Sequence, residues 1–405
     1  MSDLAAGLSD LYARIPLGMR FGLEPMRQAC ARTRHPENAF PAVHVAGTNG
    51  KGSVCAMVES IARAQGLRTG LYTSPHLCRF AERIRLDGEP IDENALASLL
   101  HEALGAGGDL SFFEAATLAA FLAFRAANVD IGIIEVGIGG RLDATNLIPT
   151  PRAAAITRIA LDHTDRLGPT LVDIAREKAG IAKRGLDLVL GPMSSEVRTA
   201  IDEVARANGA TTSDALGIKV PRRIGLAGEH QKENARIAAV LGARIGATPA
   251  SIEEGIAGVR WPGRLEQIDL NWLLDAAHNP DGAEALARYL QSTTTHLPLP
   301  PERIVLVFGA LGDKDWRAML AILAPLSSKR IYVPLPGAAR TAVDPHEMSH
   351  LFAGVVAGSV DEALSLASRE AKREKALVVV TGSMVLVGEA RAKLLGLPRD
   401  PPVAL

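Results

Sequence analysis

The stretch "AVHVAGTNGKGSVCAMVES", residues 42–60, carries the pattern that decides the fold. An apolar run that is typical of a buried strand leads into a glycine-rich turn, after which apolar residues recur at helical spacing. Backbone N–H groups and the positive end of a helix converge at such a turn, and Lys51 adds a cation, so the stretch predicts a phosphate-binding loop. The structural alternative is a strand–helix turn that needs its glycines only for positive φ angles.

The loop departs from the strict pattern G-x-x-x-x-G-K-[ST] in two places. Val45 stands where the pattern has its first glycine, and Gly52 follows Lys51 where the pattern has a hydroxyl residue. The hydroxyl is displaced to Ser53, which weakens its role as a ligand of the metal ion that accompanies a nucleoside triphosphate. Additional magnesium ligands are therefore expected at the ends of neighbouring strands.

Size and composition predict a globular protein with two domains. The 405 residues exceed a typical single core, and 47% hydrophobic with 22% charged residues is an ordinary soluble composition. The 44 basic residues are balanced by 45 acidic ones. This balance argues against nucleic acid or an anionic membrane surface as a partner, because the chain has no overall excess of positive charge that would attract either one.

Cysteine usage and hydropathy predict a cytoplasmic location. Cys30, Cys55 and Cys78 show no paired or metal-binding spacing, as is typical of a reducing compartment. The N-terminus lacks a basic start followed by an apolar run, so no signal peptide is predicted. No uninterrupted apolar stretch approaches the roughly 18 residues of a membrane-spanning helix.

Short apolar runs alternate with helical patterns from about residue 40 onward. Beyond the loop, strands are predicted at "TGLYTS", "VDIGIIEVG", "AAAITRIA" and "LDLVLGP". Helices are predicted at "SVCAMVESIARAQG", which Gly66 suits as a C-terminal cap, and at "TLVDIAREKAGIAKRG". The first has an apolar face made of Val54, Met57, Val58 and Ile61. The alternation predicts a parallel, doubly wound sheet that binds ligands at the carboxyl ends of its strands.

A break in the pattern predicts the domain boundary. The stretch "GVRWPGRLEQ", residues 258–267, places Pro and Gly between two periodic regions. Beyond it the alternation restarts with the strands "WLLDAA", "RIVLVFGA", "RIYVPL" and "ALVVVTG" among helical stretches. We therefore expect one α/β domain over residues 1–262 and a smaller one over residues 263–405, with a cleft between them.

Three side chains at predicted strand ends are candidate magnesium ligands. Ser74 follows the second strand, Glu135 lies within the apolar run "IIEVGIGG", and His163 follows the fourth strand. The alternatives are a turn or cap serine, an ion-paired glutamate and a solvated loop histidine. Glu135 is the strongest candidate, because a buried carboxylate is costly unless it is paired or bound to a metal.

Lys178 lies on an apolar helix face. Leu171, Ile174, Lys178, Ile181 and Ala182 form one stripe at helical spacing. A lysine in that position must extend to solvent, pair with a charge, or lose its own charge through a lowered pKa. An uncharged amine can react with CO₂ to give a carbamate, an anionic oxygen ligand suited to Mg²⁺, although extension to solvent is the more usual outcome.

These residues occur in motifs that resemble those of the folylpolyglutamate synthase family, and especially its bacterial bifunctional dihydrofolate synthase members, in the Mur ligase superfamily. The motifs run in family order over nearly the whole chain: "HVAGTNGKGS", "TSPHL..FAERIR", "SFFEAATLAAF", "EVGIGGRLDATN", "ALDHTDRLG", "REKAGIAK", "PGRLE", "DAAHNP" and "FGALGDKDW". The resemblance implies an N-terminal phosphate-loop domain, doubly wound as in Mur ligases, and a smaller Rossmann-like C-terminal domain, with ATP between them.

The resemblance also implies roles for individual residues. Ser74, Glu135 and His163 match Mg²⁺ ligands, and Lys178 matches a carbamylated lysine that would help His163 hold a second ion. The positions that match nucleotide contacts are Thr48, Asn49, Gly50, Lys51, Gly52, Ser53, Asn234, Arg264, Asp275 and His278. The positions that match pterin-substrate segments are Ser111, Phe112, Phe113, Glu114, Leu142, Asp143 and Ala144. Without the resemblance, Phe112 and Phe113 are equally well explained as core residues.

The implied reaction is ATP-dependent ligation of L-glutamate to dihydropteroate, to reduced folates, or to both, through an acyl phosphate. Lys51, Lys178 and His163 are the expected catalytic residues, and domain closure would bring Arg264 to the phosphates. The implied cofactors are ATP and two Mg²⁺ ions, and a monovalent cation is left open. Small molecules are the only expected partners, and the chain is expected to be a monomer.

Rival interpretations are a Mur-type ligase that acts on a UDP-linked precursor, a nucleotide-hydrolysing switch protein and a phosphotransferase.

Overall fold

The computed structural model describes residues 3–15, 22–292, 300, 303–335 and 341–400. The chain forms two compact units. The first comprises Met1–Ser74, Phe80–Gly225 and Gln231–Arg260, and the second comprises Pro75–Arg79, Leu226–His230 and Trp261–Leu405. Two short segments that are distant in sequence thus belong to the unit formed mainly by the C-terminal part.

The first unit is built on an eight-stranded sheet. Its strands are β1 (Ala42–Ala46), β2 (Thr69–Tyr72), β3 (Ile84–Leu86), β4 (Glu89–Pro90), β5 (Ile131–Glu135), β6 (Ala153–Ile156), β7 (Asp187–Leu190) and β8 (Thr211–Asp214). Their order is β4-β3-β2-β5-β1-β6-β7-β8. Six strands are parallel, which confirms the predicted arrangement, but β3 and β4 pair antiparallel at one edge, so the sheet is mixed.

Ten α-helices accompany this sheet in the described residues: α1 (Asp3–Tyr12), α2 (Glu24–Arg32), α3 (Lys51–Ala64), α4 (Glu93–Ala106), α5 (Phe112–Ala126), α6 (Thr164–Leu167), α7 (Leu171–Ala179), α8 (Ser195–Ala207), α9 (His230–Arg244) and α10 (Pro249–Gly258). The apolar face predicted for α3 is confirmed, because Val54, Met57, Val58 and Ile61 are fully buried. Gly66 follows this helix at φ 85°, as a C-terminal glycine should.

The stripe predicted around Lys178 is partly wrong. Helix α7 ends at Ala179, so Ile181 and Ala182 are buried in the turns that follow it. Leu171 is exposed because it is the first residue of the helix, where the chain enters from the surface. Ile174 is buried as the stripe predicted, and Lys178 is buried too, although extension to solvent was the more usual expectation for a lysine there.

The second unit has a six-stranded sheet in the order β13-β12-β11-β14-β10-β9. Its strands are β9 (Glu266–Gln267), β10 (Trp272–Leu274), β11 (Ile304–Phe308), β12 (Lys329–Tyr332), β13 (Val355–Val356) and β14 (Leu377–Thr381). All pairs are parallel except β9 with β10. The helices are α11 (Pro280–Leu290), α12 (Trp316–Leu323), α13 (Pro345–Leu351), α14 (Val360–Glu374) and α15 (Met384–Leu395).

Both units are α/β, as the alternation of patterns predicted. Apolar side chains of β10, β11, β12 and β14 belong to two hydrophobic clusters, one on each face of the second sheet. In the described ranges, no helix combines the length and apolar character that crossing a bilayer requires.

Candidate active site

The glycine-rich loop connects β1 to α3, which begins at Lys51. Gly47 has φ 149° and Gly50 has φ 90°, both in the region that favours glycine. A methyl group on Gly47 would overlap the Thr157 hydroxyl, and one on Gly50 would lie 2.5 Å from Asn234 Oδ1. Both glycines are therefore required for conformation and for space.

Hydrogen bonds fix this loop to the chain that follows β6. The Thr48 N–H donates to the Arg158 carbonyl over 2.8 Å, and the Thr48 hydroxyl donates to the Ala160 carbonyl over 3.1 Å. The Thr157 hydroxyl donates to the Asn49 carbonyl over 2.7 Å. The loop is thus held on the side from which the chain continues to His163.

Three predicted residues meet at the carboxyl ends of β1, β2 and β5. Lys51 Nζ lies 4.0 Å from Glu135 Oε1 and donates to the Thr48 carbonyl over 3.1 Å. The backbone N–H of Ser74 donates to Glu135 Oε2 over 3.1 Å. Glu135 is 5% exposed, so its charge is compensated inside the protein by Lys51 and a backbone dipole.

Lys178 is buried against the same loop. Its Nζ donates to the Gly47 carbonyl over 2.8 Å, and the residue is 5% exposed, so it does not extend to solvent. Burial, followed by repulsion from Lys51, lowers the pKa of Lys178 to about 7. A large fraction of this amine is therefore neutral at neutral pH.

His163 comes directly before the short helix α6, in a left-handed conformation with φ 51°. Its side chain is partly exposed, and its Nε2 lies 3.9 Å from Asp162 Oδ1. Among the residues that the structure describes, no group of three or more His, Cys, Asp or Glu side chains forms a metal site. The predicted ligand set contains only two such residues, Glu135 and His163, and takes its other donors from Ser74 and a modified Lys178.

Asn234 is brought to the loop by α9. Its Nδ2 donates to Gln231 Oε1 over 2.9 Å, and Gln231 Nε2 donates to the Ser53 hydroxyl over 3.3 Å. Ser53 is buried. Sequence reasoning missed Gln231, although its spacing of three residues from Asn234 places both on one helix face.

The segment Ser111–Glu114 forms the start of α5. Ser111 and Glu114 make a reciprocal capping box, so both have a structural role. Phe112 is buried and stacks on Tyr12 with ring centroids 6.0 Å apart, as the core alternative predicted. Phe113 is partly exposed and packs on Gly137, where an added methyl group would overlap its ring. Phe113 is therefore the aromatic residue of this segment that reaches the loop after Glu135.

The segment 142–144 is organised by the buried carboxylate of Asp143. Its Oδ2 accepts the N–H groups of Gly137 and Ile138 over 3.1 and 3.0 Å. Its Oδ1 accepts the N–H of Thr145 over 3.0 Å and the Thr145 hydroxyl over 2.5 Å. Burial raises the pKa of Asp143, while these bonds favour the ionised form. Leu142 is partly exposed and Ala144 is buried on either side.

Three predicted nucleotide contacts belong to the second unit. The Leu265 N–H donates to Asp275 Oδ2 over 2.9 Å, and burial raises the pKa of Asp275 against the opposing effect of Arg264. His278 Nδ1 lies 2.9 Å from the Ala276 carbonyl, which can only accept, so this nitrogen carries the proton. These contacts fix the strand end at "DAAHNP" and bring Arg264 and Asp275 close together.

Comparison with known proteins gives matches over most of the chain. The Mur ligase middle domain matches residues 45–190, and the Mur ligase glutamate ligase domain matches residues 263–384. The dihydrofolate synthase/folylpolyglutamate synthase of Escherichia coli is 36% identical over 93% of this chain and 92% of its own.

Solved structures match equally widely. The E. coli FolC structure in complex with DHPP and ADP has a TM-score of 0.87 at 33% identity, covering 97% of this chain and 98% of that chain. The Mycobacterium tuberculosis folylpolyglutamate synthase complexed with ADP has a TM-score of 0.86 at 31% identity, covering 99% of both chains.

Proposed function

The chain belongs to the dihydrofolate synthase/folylpolyglutamate synthase family of Mur ligases, and on that premise we propose that it joins L-glutamate to dihydropteroate or reduced folates, converting ATP to ADP and phosphate. The observation that carries the proposal is the meeting of Lys51, Ser74 and Glu135 beside the glycine-rich loop. These residues place a cation and a buried carboxylate beside a phosphate-type loop, at the sheet edge where doubly wound folds bind ligands.

The chemistry requires activation of an acid. A carboxylate repels nucleophiles and has no good leaving group, so one of its oxygens attacks the γ-phosphorus and the bond to ADP breaks. The glutamate amine then attacks the acyl carbon, the C–N bond forms, phosphate departs and the nitrogen loses a proton. Catalysis of the first step consists chiefly of positioning and of stabilising charge.

Lys51 and the loop supply that stabilisation in our proposal. The Lys51 ammonium lies at the N-terminus of α3, where the helix end adds a positive field. Both act on the γ-phosphate without reorganisation, because the loop is fixed to the chain after β6. The remaining proposed nucleotide contacts are Thr48, Asn49, Gly50, Gly52, Ser53 and Asn234 in the first unit, with Arg264, Asp275 and His278 in the second.

The side chains around the loop fit Mg²⁺. The buried carboxylate of Glu135, the hydroxyl of Ser74 and the imidazole of His163 would hold one ion, and a carbamate on Lys178 would help His163 hold a second. The low pKa and buried position of Lys178 favour that modification, because only the neutral amine reacts with CO₂. Bound there, Mg²⁺ would neutralise charge on the transferring phosphoryl group.

Two segments are proposed to hold the pterin substrate. Phe113 offers a partly exposed ring beside Gly137, while Ser111, Phe112 and Glu114 shape the helix start that presents it. Leu142, Asp143 and Ala144 lie in the neighbouring turn, which Asp143 bonds to residues 137–138. A pterin ring stacked on Phe113 would face this turn.

A ligation assay tests the function. Purified protein is incubated with ATP, Mg²⁺, glutamate and either dihydropteroate or tetrahydrofolate, and the products are identified by mass spectrometry. We expect a mass gain of one glutamate residue with at least one acceptor and equimolar ADP. No gain with either acceptor would refute the folate assignment, and ligation to a UDP-linked precursor instead would favour the rival Mur-type activity. Phosphate release that does not depend on glutamate would favour a hydrolytic switch.

Gly50→Ala is expected to weaken nucleotide binding. The substitution strains a φ of 90° and pushes the added methyl group onto Asn234 Oδ1, displacing a proposed ATP contact. We expect ADP affinity to fall about tenfold and stability to fall by about 1–3 kcal/mol. Isothermal titration calorimetry and thermal unfolding measure the two effects.

Gly246→Ala is the matched control for Gly50→Ala. Gly246 has φ 92°, but an added methyl group there meets no atom within 4 Å. We expect a similar loss of stability with unchanged ADP affinity. Equal affinity in both variants would contradict a role for the Gly50–Asn234 contact.

A further inference from the structure

His44 is a fully buried histidine on the strand that leads into the phosphate loop. It lies at the centre of the first sheet, opposite Ile134 of β5 and Ala154 of β6 in the strand register. Its Nε2 is 2.8 Å from the Thr145 hydroxyl, although the two residues are 101 positions apart in sequence. Nothing in the proposed function uses either residue.

The direction of this contact follows from the partners. The Thr145 hydroxyl has one proton and donates it to Asp143 Oδ1 over 2.5 Å. It can therefore only accept from His44, so the histidine carries its proton on Nε2. Among the residues that the structure describes, His44 Nδ1 has no hydrogen-bond partner, and in this tautomer it presents a lone pair and not an orphaned N–H. Burial, together with Lys183, lowers the pKa of His44 to about 3, which keeps the ring neutral.

The chain of bonds continues from Asp143 to the loop after Glu135. Asp143 receives two bonds on each carboxylate oxygen, from Thr145 and from the backbone of Gly137 and Ile138. A rigid strand is thereby connected to the turn 142–144 and to the residues that follow Glu135. Because Thr145 is fully buried, its hydroxyl has no competing water.

We propose that His44 and Thr145 are positioning residues for the folate substrate: the relay from His44 Nε2–H through the Thr145 hydroxyl to Asp143 holds the turn 142–144 in its binding geometry. This inference rests on the proposed function, because that turn is a proposed pterin contact. It predicts an effect on the folate substrate and not on ATP, since the phosphate loop is fixed by separate bonds to Arg158, Ala160 and Thr157.

The test measures KM for each substrate in variants that break or keep the relay. Thr145→Val removes the hydroxyl at nearly constant volume, and His44→Leu removes the donor. His44→Leu loses one hydrogen bond and is expected to raise KM for the folate acceptor about tenfold, and Thr145→Val, which loses two, at least about tenfold. KM for ATP should change less than about twofold in both variants. The double variant should be no worse than Thr145→Val alone, because both substitutions break one shared relay.

Conservative variants and a matched control complete the design. Thr145→Ser keeps the hydroxyl and His44→Gln keeps an N–H donor, so each variant should have a KM for the acceptor within about threefold of the wild-type value. Thr33→Val removes another buried hydroxyl, which donates to backbone carbonyls at the end of α2, and should leave both KM values unchanged. Thermal unfolding of every variant separates loss of fold from loss of positioning.

The outcomes are distinct. An unchanged acceptor KM in folded Thr145→Val, or equal rises in the KM of ATP and acceptor, would overturn the positioning role. If Thr145→Val does not fold, His44→Leu gives the same comparison, and failure of both to fold would assign the relay to stability alone and equally overturn the proposal. A wild-type protein that ligates no glutamate in the same assay would instead show that the proposed function has failed.

Discussion

Glu135→Gln is expected to lower kcat at least about 100-fold while the protein stays folded, the scale seen when one preorganised electrostatic group is removed from an active site. The amide has nearly the same volume and keeps an oxygen that can accept from the Ser74 N–H. The amide lacks the negative charge of Glu135, whose Oε1 lies 4.0 Å from Lys51 Nζ. The same charge would hold Mg²⁺. The loss should therefore appear in turnover and in the Mg²⁺ concentration required, and much less in thermal stability.

Glu59→Gln is a suitable control for Glu135→Gln. Glu59 is also buried, but it lies on α3 and bonds to Arg63 and the Thr69 hydroxyl, away from the loop. Its substitution should leave kcat within about twofold of the wild type, because the groups that lose a partner, Arg63 and Thr69, take no part in the proposed reaction. Turnover by Glu135→Gln at the wild-type rate would exclude the proposed role of this carboxylate.

Lys178→Arg is the second variant with a large expected effect, again a fall in kcat of at least about 100-fold. Arginine keeps a positive charge and a long side chain, but its guanidinium stays protonated and forms no carbamate at neutral pH. Lys183→Arg is the matched control. Lys183 is a partly buried lysine that donates to the Asn146 carbonyl, and burial lowers its pKa as well. We expect that control to stay active.

The carbamate itself has a predicted pH dependence. With a pKa of about 7, roughly half of the Lys178 amine is neutral at pH 7, against fewer than about one in a thousand for an ordinary lysine. The neutral fraction falls as the pH drops below 7, so carbamate and activity should fall with it. Added bicarbonate should restore part of the activity on the acidic side.

Carbon-13 NMR in labelled bicarbonate provides a direct measurement. A carbamate resonance should be present in the wild type and in Lys183→Arg and absent from Lys178→Arg. Activity that does not depend on bicarbonate, together with a spectrum that lacks this resonance, would refute carbamylation of Lys178.

The local pattern of the sequence was sufficient to predict the elements that surround the site. Residues 42–60 specify a strand, a turn and a helix through period, glycine positions and β-branched content, all of which are properties of near neighbours in the chain. Once the sheet is parallel, its topology requires the ends of β1, β2 and β5 to share one edge, so the proximity of Lys51, Ser74 and Glu135 was predictable.

Edge strands and helix ends were less predictable. The strands β3, β4, β8, β9 and β13 lie at or next to a sheet edge and are two to four residues long. Unlike predicted strands of similar length, such as β6 and β7, they contain no apolar run of three or more residues. The helical pattern continued past Ala179, where the chain leaves α7 and its apolar residues are buried by other elements. The local signal was missing in these strands, and tertiary packing overrode it at the end of α7.

By itself the sequence determined two α/β units, a phosphate-type loop and the residues at its strand ends, because these depend on spacing along the chain. Only the tertiary structure decided that Lys178 is anchored to Gly47, that Gln231 bonds Ser53, and that His44 reaches Asp143 through Thr145. The bonds of Lys178 to Gly47, of Gln231 to Ser53 and of His44 to Thr145 join residues 131, 178 and 101 positions apart. Burial and hydrogen-bond direction at such contacts are set by which elements pack together, and no periodicity in the chain encodes that choice.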